Sequence, residues 1–136
     1  MHRGAWGSRR RVLVVDDDPD VRWITAAFLE EAGCDVAEAG GGGEALAALA
    51  ADPGIGVLVT DHAMPGMDGT ELISRARGLR PDLPALVVTG HAGAGGLARL
   101  PGDVPILRKP FRQEDLLRAL DPLCATTSRA ETTAAA

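Results

Sequence analysis

The chain has 136 residues, 46% of them hydrophobic and 24% charged, with a formal net charge of −5. That length suits one domain able to bury about two-thirds of its unfolded surface, and the composition is that of an ordinary globular protein rather than a disordered or fibrous one. The acidic balance argues against nucleic acid as a direct partner, because nucleic-acid binders carry a basic face.

Residues 1–10 read as a basic, disordered arm in which Arg3, Arg9 and Arg10, with Arg11 beside them, form a solvated tail. The basic start resembles the n-region of a secretory signal, but no such signal is expected, since the apolar run Val12–Val15 is far too short and meets Asp16-Asp17-Asp18 at once. No segment approaches the length needed to span a bilayer, so no membrane association is expected. Cys34 and Cys124 are the only cysteines and lack any metal-ligand spacing. They point to a reducing compartment, and the expected location is the cytoplasm.

Val12–Val15 is the first of a series of apolar, mostly β-branched runs. Asp18-Pro19 then supplies a helix cap and a proline at the first helical position. Val21, Ile24, Phe28 and Leu29 follow at helical spacing as the expected inward face, until Gly33 ends the helix. A second strand, Cys34–Ala37, leads to a short alanine-rich helix from Glu44 to Ala50. The third, Val57–Thr60, delivers Asp61. Asp68, with Glu71 three residues on, makes a capping-box-like start for a helix carrying Leu72, Ile73, Ala76 and Leu79. After the strand Ala85–Thr89, the stretch from His91 to Gly102 holds Gly93, Gly95, Gly96, Pro101 and Gly102, so a fourth helix is expected to be short, irregular or missing. Pro105–Leu107 is the last strand, and Arg112 to Leu120 the last helix, with Leu116, Leu117 and Leu120 inward. One domain therefore covers 11–121, and residues 122–136, rich in Ala and Thr, form a frayed tail.

Continuous rather than alternating apolar runs are the mark of strands buried on both faces of a parallel sheet. Strict strand–helix alternation with short loops then gives right-handed crossovers and an α/β, doubly wound sandwich. In such a sheet ligands bind outside the carboxyl ends of the strands. The chain brings polar groups there repeatedly: Asp16-Asp17-Asp18 after the first strand, Asp61 after the third, Thr89 at the end of the fourth, Arg108-Lys109-Pro110 after the fifth. Carboxylates gathered at one edge repel one another unless a cation is present, and a small set of hard oxygen ligands suits Mg²⁺. With that charge offset, one carboxylate can attack a phosphoryl group in line while Lys109 and Thr89 hold the transferred oxygens.

In this order the motifs Val14-Val15-Asp16-Asp17, Asp61-His62-Ala63-Met64-Pro65-Gly66-Met67-Asp68-Gly69, Val88-Thr89-Gly90 and Lys109-Pro110-Phe111 resemble those of receiver domains of two-component response regulators. The resemblance covers roughly residues 11–121. It implies a flavodoxin-like fold with five parallel strands in the order 2-1-3-4-5. It also implies Asp61 as phosphoacceptor, Mg²⁺ held by Asp17, Asp61 and the backbone carbonyl of Ala63, and Asp16 reaching the ion through water. Thr89 would be the switch hydroxyl and Lys109 the phosphoryl partner, with a cis Lys109–Pro110 bond aiming the ammonium at the site. The implied partners are a sensor histidine kinase or histidine phosphotransfer protein, and downstream a protein effector.

The chain departs from the family where an aromatic switch residue usually stands three positions before the lysine: here that residue is Ile106. The segment from Thr89 to Lys109 is about two residues short of a typical receiver's. Its flanks, Val88-Thr89-Gly90-His91 and Leu107 to Gln113, resemble receivers attached to hybrid histidine kinases. His62 and His91 read as solvated loop residues, with His91 a candidate gate for water. Gly40 to Gly43, followed by Glu44-Ala45, has the outline of a dinucleotide fingerprint but follows the second strand rather than the first, and reads as a flexible turn. Trp23, near the acidic loop, is a candidate partner contact, and Arg22 a solvated charge.

The expected function is a phosphoacceptor receiver in a two-component phosphorelay, self-phosphorylating from a donor and losing the group by hydrolysis, and so not a conventional enzyme. With no output domain after residue 121, it would act by binding another protein or passing the phosphoryl group onward. The alternative is a phosphorylation-independent docking module with the same fold; a nucleotide-binding enzyme is the third.

Overall fold

The computed structural model describes residues 11–90 and 97–123; the basic arm, His91 with the Gly93-Gly96 stretch, and the tail with Cys124 lie outside them. Five strands, β1 (Arg11–Val15), β2 (Asp35–Ala39), β3 (Ile55–Asp61), β4 (Ala85–Thr89) and β5 (Ile106–Arg108), form one parallel sheet ordered β2-β1-β3-β4-β5. The helices are α1 (Pro19–Glu31), α2 (Gly42–Ala51), α3 (Gly69–Leu79) and α4 over residues 113–123. This is the flavodoxin-like arrangement that the motif order implies.

The unbroken apolar runs have a direct explanation in the pleat. Alternate residues of each strand go to opposite faces, and both faces are covered. Leu13, Val15, Leu58, Ala85 and Val87 pack on one side with Leu49 of α2 and Leu72 and Ile73 of α3. Val12, Val14, Val57, Val59, Leu86 and Val88 pack on the other with Leu29 of α1 and Leu116 and Leu120 of α4. A strand buried on both sides has no solvent-facing register to mark with polar residues.

Helix α1 begins as its sequence demands. The Asp18 carboxylate accepts from the N–H groups of Asp20 (2.9 Å) and Val21 (3.4 Å), and Pro19 fills the first position. It ends in a Schellman motif: Gly33, at φ +97°, donates to Glu30 O and Cys34 to Leu29 O. Its inward face differs from the expected one. Thr25, Ala26 and Leu29 are buried, whereas Val21 and Phe28 are half-buried and Ile24 is 46% exposed. Small Thr25 and Ala26 side chains let the helix lie close to the sheet, which turns the bulkier Trp23 and Ile24 outward.

Arginines and one glutamine tie the elements together. Arg80, after α3, donates to the carbonyls of Leu49, Asp52 and Ile55, closing the α2–β3 junction. Arg77 makes a two-pronged pair with Asp103 at 3.1 and 2.8 Å and donates to Leu83 O. Gln113 at the start of α4 donates to Phe28 O (2.9 Å) and Glu31 Oε1 (3.1 Å) on α1, beside the edge-on ring pair Phe28–Phe111. Between β4 and β5 the described residues hold a single 3-10 turn, Leu97–Arg99, in keeping with the expected short or missing helix. No helix among the described residues is long and apolar enough to cross a membrane.

Candidate functional site

The carboxyl edge of β1, β3, β4 and β5 gathers most of the residues singled out in the sequence. Asp16 follows β1 and is 5% exposed; Asp61 is the last residue of β3 and 7% exposed. With the exposed Asp17 they form a group whose carboxylate oxygens lie within 4.8 Å of one another. Thr89 ends β4, buried, and its carbonyl accepts from the Lys109 N–H at 2.8 Å. Lys109 follows β5 with a cis peptide bond to Pro110. Its ammonium lies 3.2 Å from Asp61 Oδ1 and 3.4 Å from Asp16 Oδ2. Ala63 is exposed two positions past Asp61, in the same loop.

Each acidic side chain is held differently. Asp16 Oδ1 accepts from the Asp18 N–H at 2.9 Å while its Oδ2 faces Lys109. Asp61 is held by the Lys109 pair. No hydrogen bond or ion pair among the described residues holds the Asp17 carboxylate. Burial raises the Asp61 carboxyl above the usual carboxylate range and the Asp16 charge raises it further, against the pull of Lys109. For Lys109, lost hydration works against the charged form, but Asp16 and Asp61 outweigh it and hold the ammonium above the usual lysine value. The cluster thus carries more negative charge than its one ammonium offsets.

The loop that leaves Asp61 is fixed by two close approaches. A Cβ on Gly69 would stand 2.8 Å from Asp61 O and 3.0 Å from His62 Cα, both backbone atoms that cannot yield. A Cβ on Gly42 would stand 2.5 Å from Met67 Sδ, so the loop rests on the first turn of α2. That packing gives Gly42 a reason to be glycine without any dinucleotide, and Gly40 N donates to Glu44 Oε1 at 2.9 Å.

Two residues stand otherwise than the sequence suggests. His62 is not a solvated loop histidine: it is 2% exposed, with its N–H donating to Val88 O and its carbonyl accepting from Gly69, both at 2.9 Å. The hydrogen-bond ladder carries on one residue past the end of β3, and two past the apolar run Val57–Thr60, which draws the ring inside. Arg22 is not a solvated charge. Its Nη1 donates to the Asp16 carbonyl at 2.8 Å and its Nε to Glu38 Oε1 at 3.2 Å. The sequence carried only part of that signal: helical side chains lean toward the N-terminus, which lets an arginine four residues after the cap reach back toward the turn, but its acceptors, Asp16 O and Glu38 on β2, are set by the fold.

Ile106, on β5 and three residues before Lys109, is 45% exposed. Trp23 is 67% exposed on α1, next to the 46% exposed Ile24. A cavity of about 410 Å³ lies at the opposite end of the sheet among Pro53, Leu79, Arg80 and Pro84, away from the acidic edge.

Residues 12–121 match the model of the response regulator receiver domain. The chain is 35% identical over 116 residues to the response regulator receiver protein CpdR of Brucella abortus, covering 84% of this chain and 96% of that one. It is 37% identical over 120 residues to the C4-dicarboxylate transport transcriptional regulatory protein DctD of Rhizobium meliloti, covering 79% of this chain but only 24% of that longer protein. Among solved structures, a CheY-like response regulator receiver domain protein from Methanospirillum hungatei superposes with a TM-score of 0.80 at 30% identity, covering 90% of this chain and 99% of that one.

Proposed function

The chain belongs to the response regulator receiver family, and from that premise we propose that Asp61 accepts a phosphoryl group from a phosphohistidine of a sensor histidine kinase or a histidine phosphotransfer protein. The observation that carries the proposal is the meeting of the Asp16, Asp17 and Asp61 carboxylates with the Lys109 ammonium at one sheet edge.

The donor set fits Mg²⁺. Three hard oxygen donors lie close together, burial and then the Asp16 charge lift the Asp61 proton affinity, and one of the three, Asp17, is exposed to water. Asp17, Asp61 and the Ala63 carbonyl would hold the ion directly and Asp16 through a water. Bound there, it supplies the positive charge that lets a carboxylate meet an anionic phosphoryl group.

Asp61, ionised, directs an oxygen at phosphorus. A P–O bond forms as the P–N bond to the donor imidazole breaks, and the imidazole leaves with the bonding electrons. Lys109 stands where it can follow the transferred oxygens, and Thr89, at the end of the neighbouring strand, offers its hydroxyl to them. Water later cleaves the acyl phosphate, returning Asp61 and inorganic phosphate. The donor's helical bundle docks over α1, where Trp23 and Ile24 present an exposed apolar pair beside the acidic turn. With Ile106 in place of an aromatic switch, the phosphorylated state passes to a protein effector by some route other than a ring swing. We place these steps in the cytoplasm, with neither nucleic acid nor membrane as a direct partner.

Incubation with acetyl phosphate and Mg²⁺, followed by intact-mass measurement, tests the proposal. One added phosphoryl group is expected in the wild type and none in Asp61→Asn. An unmodified wild type, or an adduct that survives in Asp61→Asn, would sink it and favour a docking module that works without phosphoryl transfer.

A further inference from the structure

We infer that Arg22 is a positioning residue for the cation site, acting on Asp17 through the backbone of Asp16; the inference rests on the phosphoacceptor proposal. Of the three clustered carboxylates, Asp16 and Asp61 are braced by side-chain contacts, to the Asp18 N–H and Lys109 in one case and to Lys109 in the other. Asp17 is exposed, and no side-chain partner holds it among the described residues. Its placement therefore depends on its backbone, which is held on both sides: the Asp18 N–H, in the peptide unit after Asp17, is bound to Asp16 Oδ1, and Arg22 holds the unit before it. The Asp16 carbonyl belongs to the same planar peptide unit as the Asp17 nitrogen and Cα, and Arg22 Nη1 donates to that carbonyl at 2.8 Å. Fixing the oxygen fixes the plane, and with it the direction in which Asp17 leaves the chain.

The guanidinium is itself anchored on two elements. Its stem rises from α1, and its Nε donates to Glu38 Oε1 on β2 at 3.2 Å. The Asp16 N–H, in turn, donates to Ala39 O at 3.2 Å, so the acidic turn is tied to the end of β2 from both sides. A planar fork spans the carbonyl and the carboxylate with two separate nitrogens at fixed spacing, a geometry that the single point-like ammonium of a lysine does not reproduce.

The inference has a distinctive sign. As a mere positive charge near the cluster, Arg22 would repel Mg²⁺, and its removal would tighten cation binding or leave it unchanged. As the residue that orients Asp17, its removal must weaken binding in spite of the lost repulsion. Supporting groups around metal ligands are worth about 10–100-fold in affinity, and the lower end suits a contact made through the backbone.

Calorimetric titration of the unphosphorylated protein with MgCl₂, on wild type, Arg22→Gln and Arg22→Lys, is the test. Dissociation constants about tenfold higher in both variants are expected, together with thermal midpoints in EDTA close to wild type. Arg22→Lys keeps the charge, so an unchanged Arg22→Lys would overturn the inference in favour of a coulombic role. Wild-type affinity or better in Arg22→Gln would also overturn it. So would loss of folded protein in both variants, which would make Arg22 a general brace. Absence of Mg²⁺ binding by the wild type would remove the premise and the inference together, whereas a binding wild type with unaffected variants removes the inference alone.

Discussion

At the scale of single residues, the site is built as much by what is missing as by what is present. Gly69 has no Cβ, and the 2.8 Å that one would leave to the Asp61 carbonyl closes the position to any other residue. Gly69→Ala should therefore destabilise by about 1–3 kcal/mol, read by urea unfolding. Gly41→Ala is the matching control, because a Cβ there meets nothing within 4 Å and the backbone is extended. Cys34 is 6% exposed, and burial first, then the Asp35 charge, pushes its thiol up to about 11. In a Cys124→Ser background the folded protein should react slowly with Ellman's reagent at pH 8 and quickly once unfolded in urea. Between the ordinary thiol value of 9.0 and about 11 the folded state holds a proton that the unfolded state gives up. Stability should thus fall as pH rises through that window, by no more than about 2–3 kcal/mol. Cys34→Ala should remove that part of the slope in denaturant titrations repeated across pH 8–11. His62 and Arg22 were the residues least legible in the sequence. One is drawn inside by a strand ladder that outlasts its apolar run, and the other by a helix that leans its side chain backward.

At the scale of elements, the local signals were clear wherever the chemistry was local. Asp18 and Asp68 cap α1 and α3, Pro19 and Gly33 punctuate α1, and the structure places each in that role. Asp18→Ala should lower stability by about 1 kcal/mol in thermal unfolding, since two N–H groups lose their acceptor while the Asp18 N–H keeps its bond to Asp16. The inward face of α1 was not legible. Apolar residues at 21, 24, 28 and 29 fit a helix in more than one rotational phase, and only contact with the sheet selects Thr25, Ala26 and Leu29. The junction held by Arg80 was equally hidden, because its three carbonyl acceptors are 25 to 31 residues away in sequence. Arg80→Ala should cost about 2 kcal/mol, measured as a lower urea midpoint with an unchanged slope.

At the scale of the whole molecule, the two-sided core makes the sheet a rigid platform, and its carboxyl edge concentrates charge that folding alone does not neutralise. Mg²⁺ should therefore raise the thermal midpoint, with a stabilisation of about 2.7 kcal/mol at a hundredfold excess over the dissociation constant. Chelation by EDTA should abolish the rise, and Asp17→Asn should reduce it. A midpoint indifferent to Mg²⁺ would contradict the proposed donor set.

The sequence by itself determined the layered α/β fold, the helix ends and the identity of the edge residues Asp16, Asp17, Asp61, Thr89 and Lys109. Hydrophobic periodicity and capping chemistry act over a few residues, and strand ends are marked where apolar runs stop. Tertiary structure alone decided that Lys109 bridges Asp16 and Asp61, that His62 is buried, and that Trp23 and Ile24 face solvent. It also decided that Arg22 grips the peptide between Asp16 and Asp17. The sheet brings Lys109 against Asp16 from 93 positions along the chain. Contacts at such separations depend on packing distances and on the phase of each helix, neither of which a linear pattern of residue types encodes.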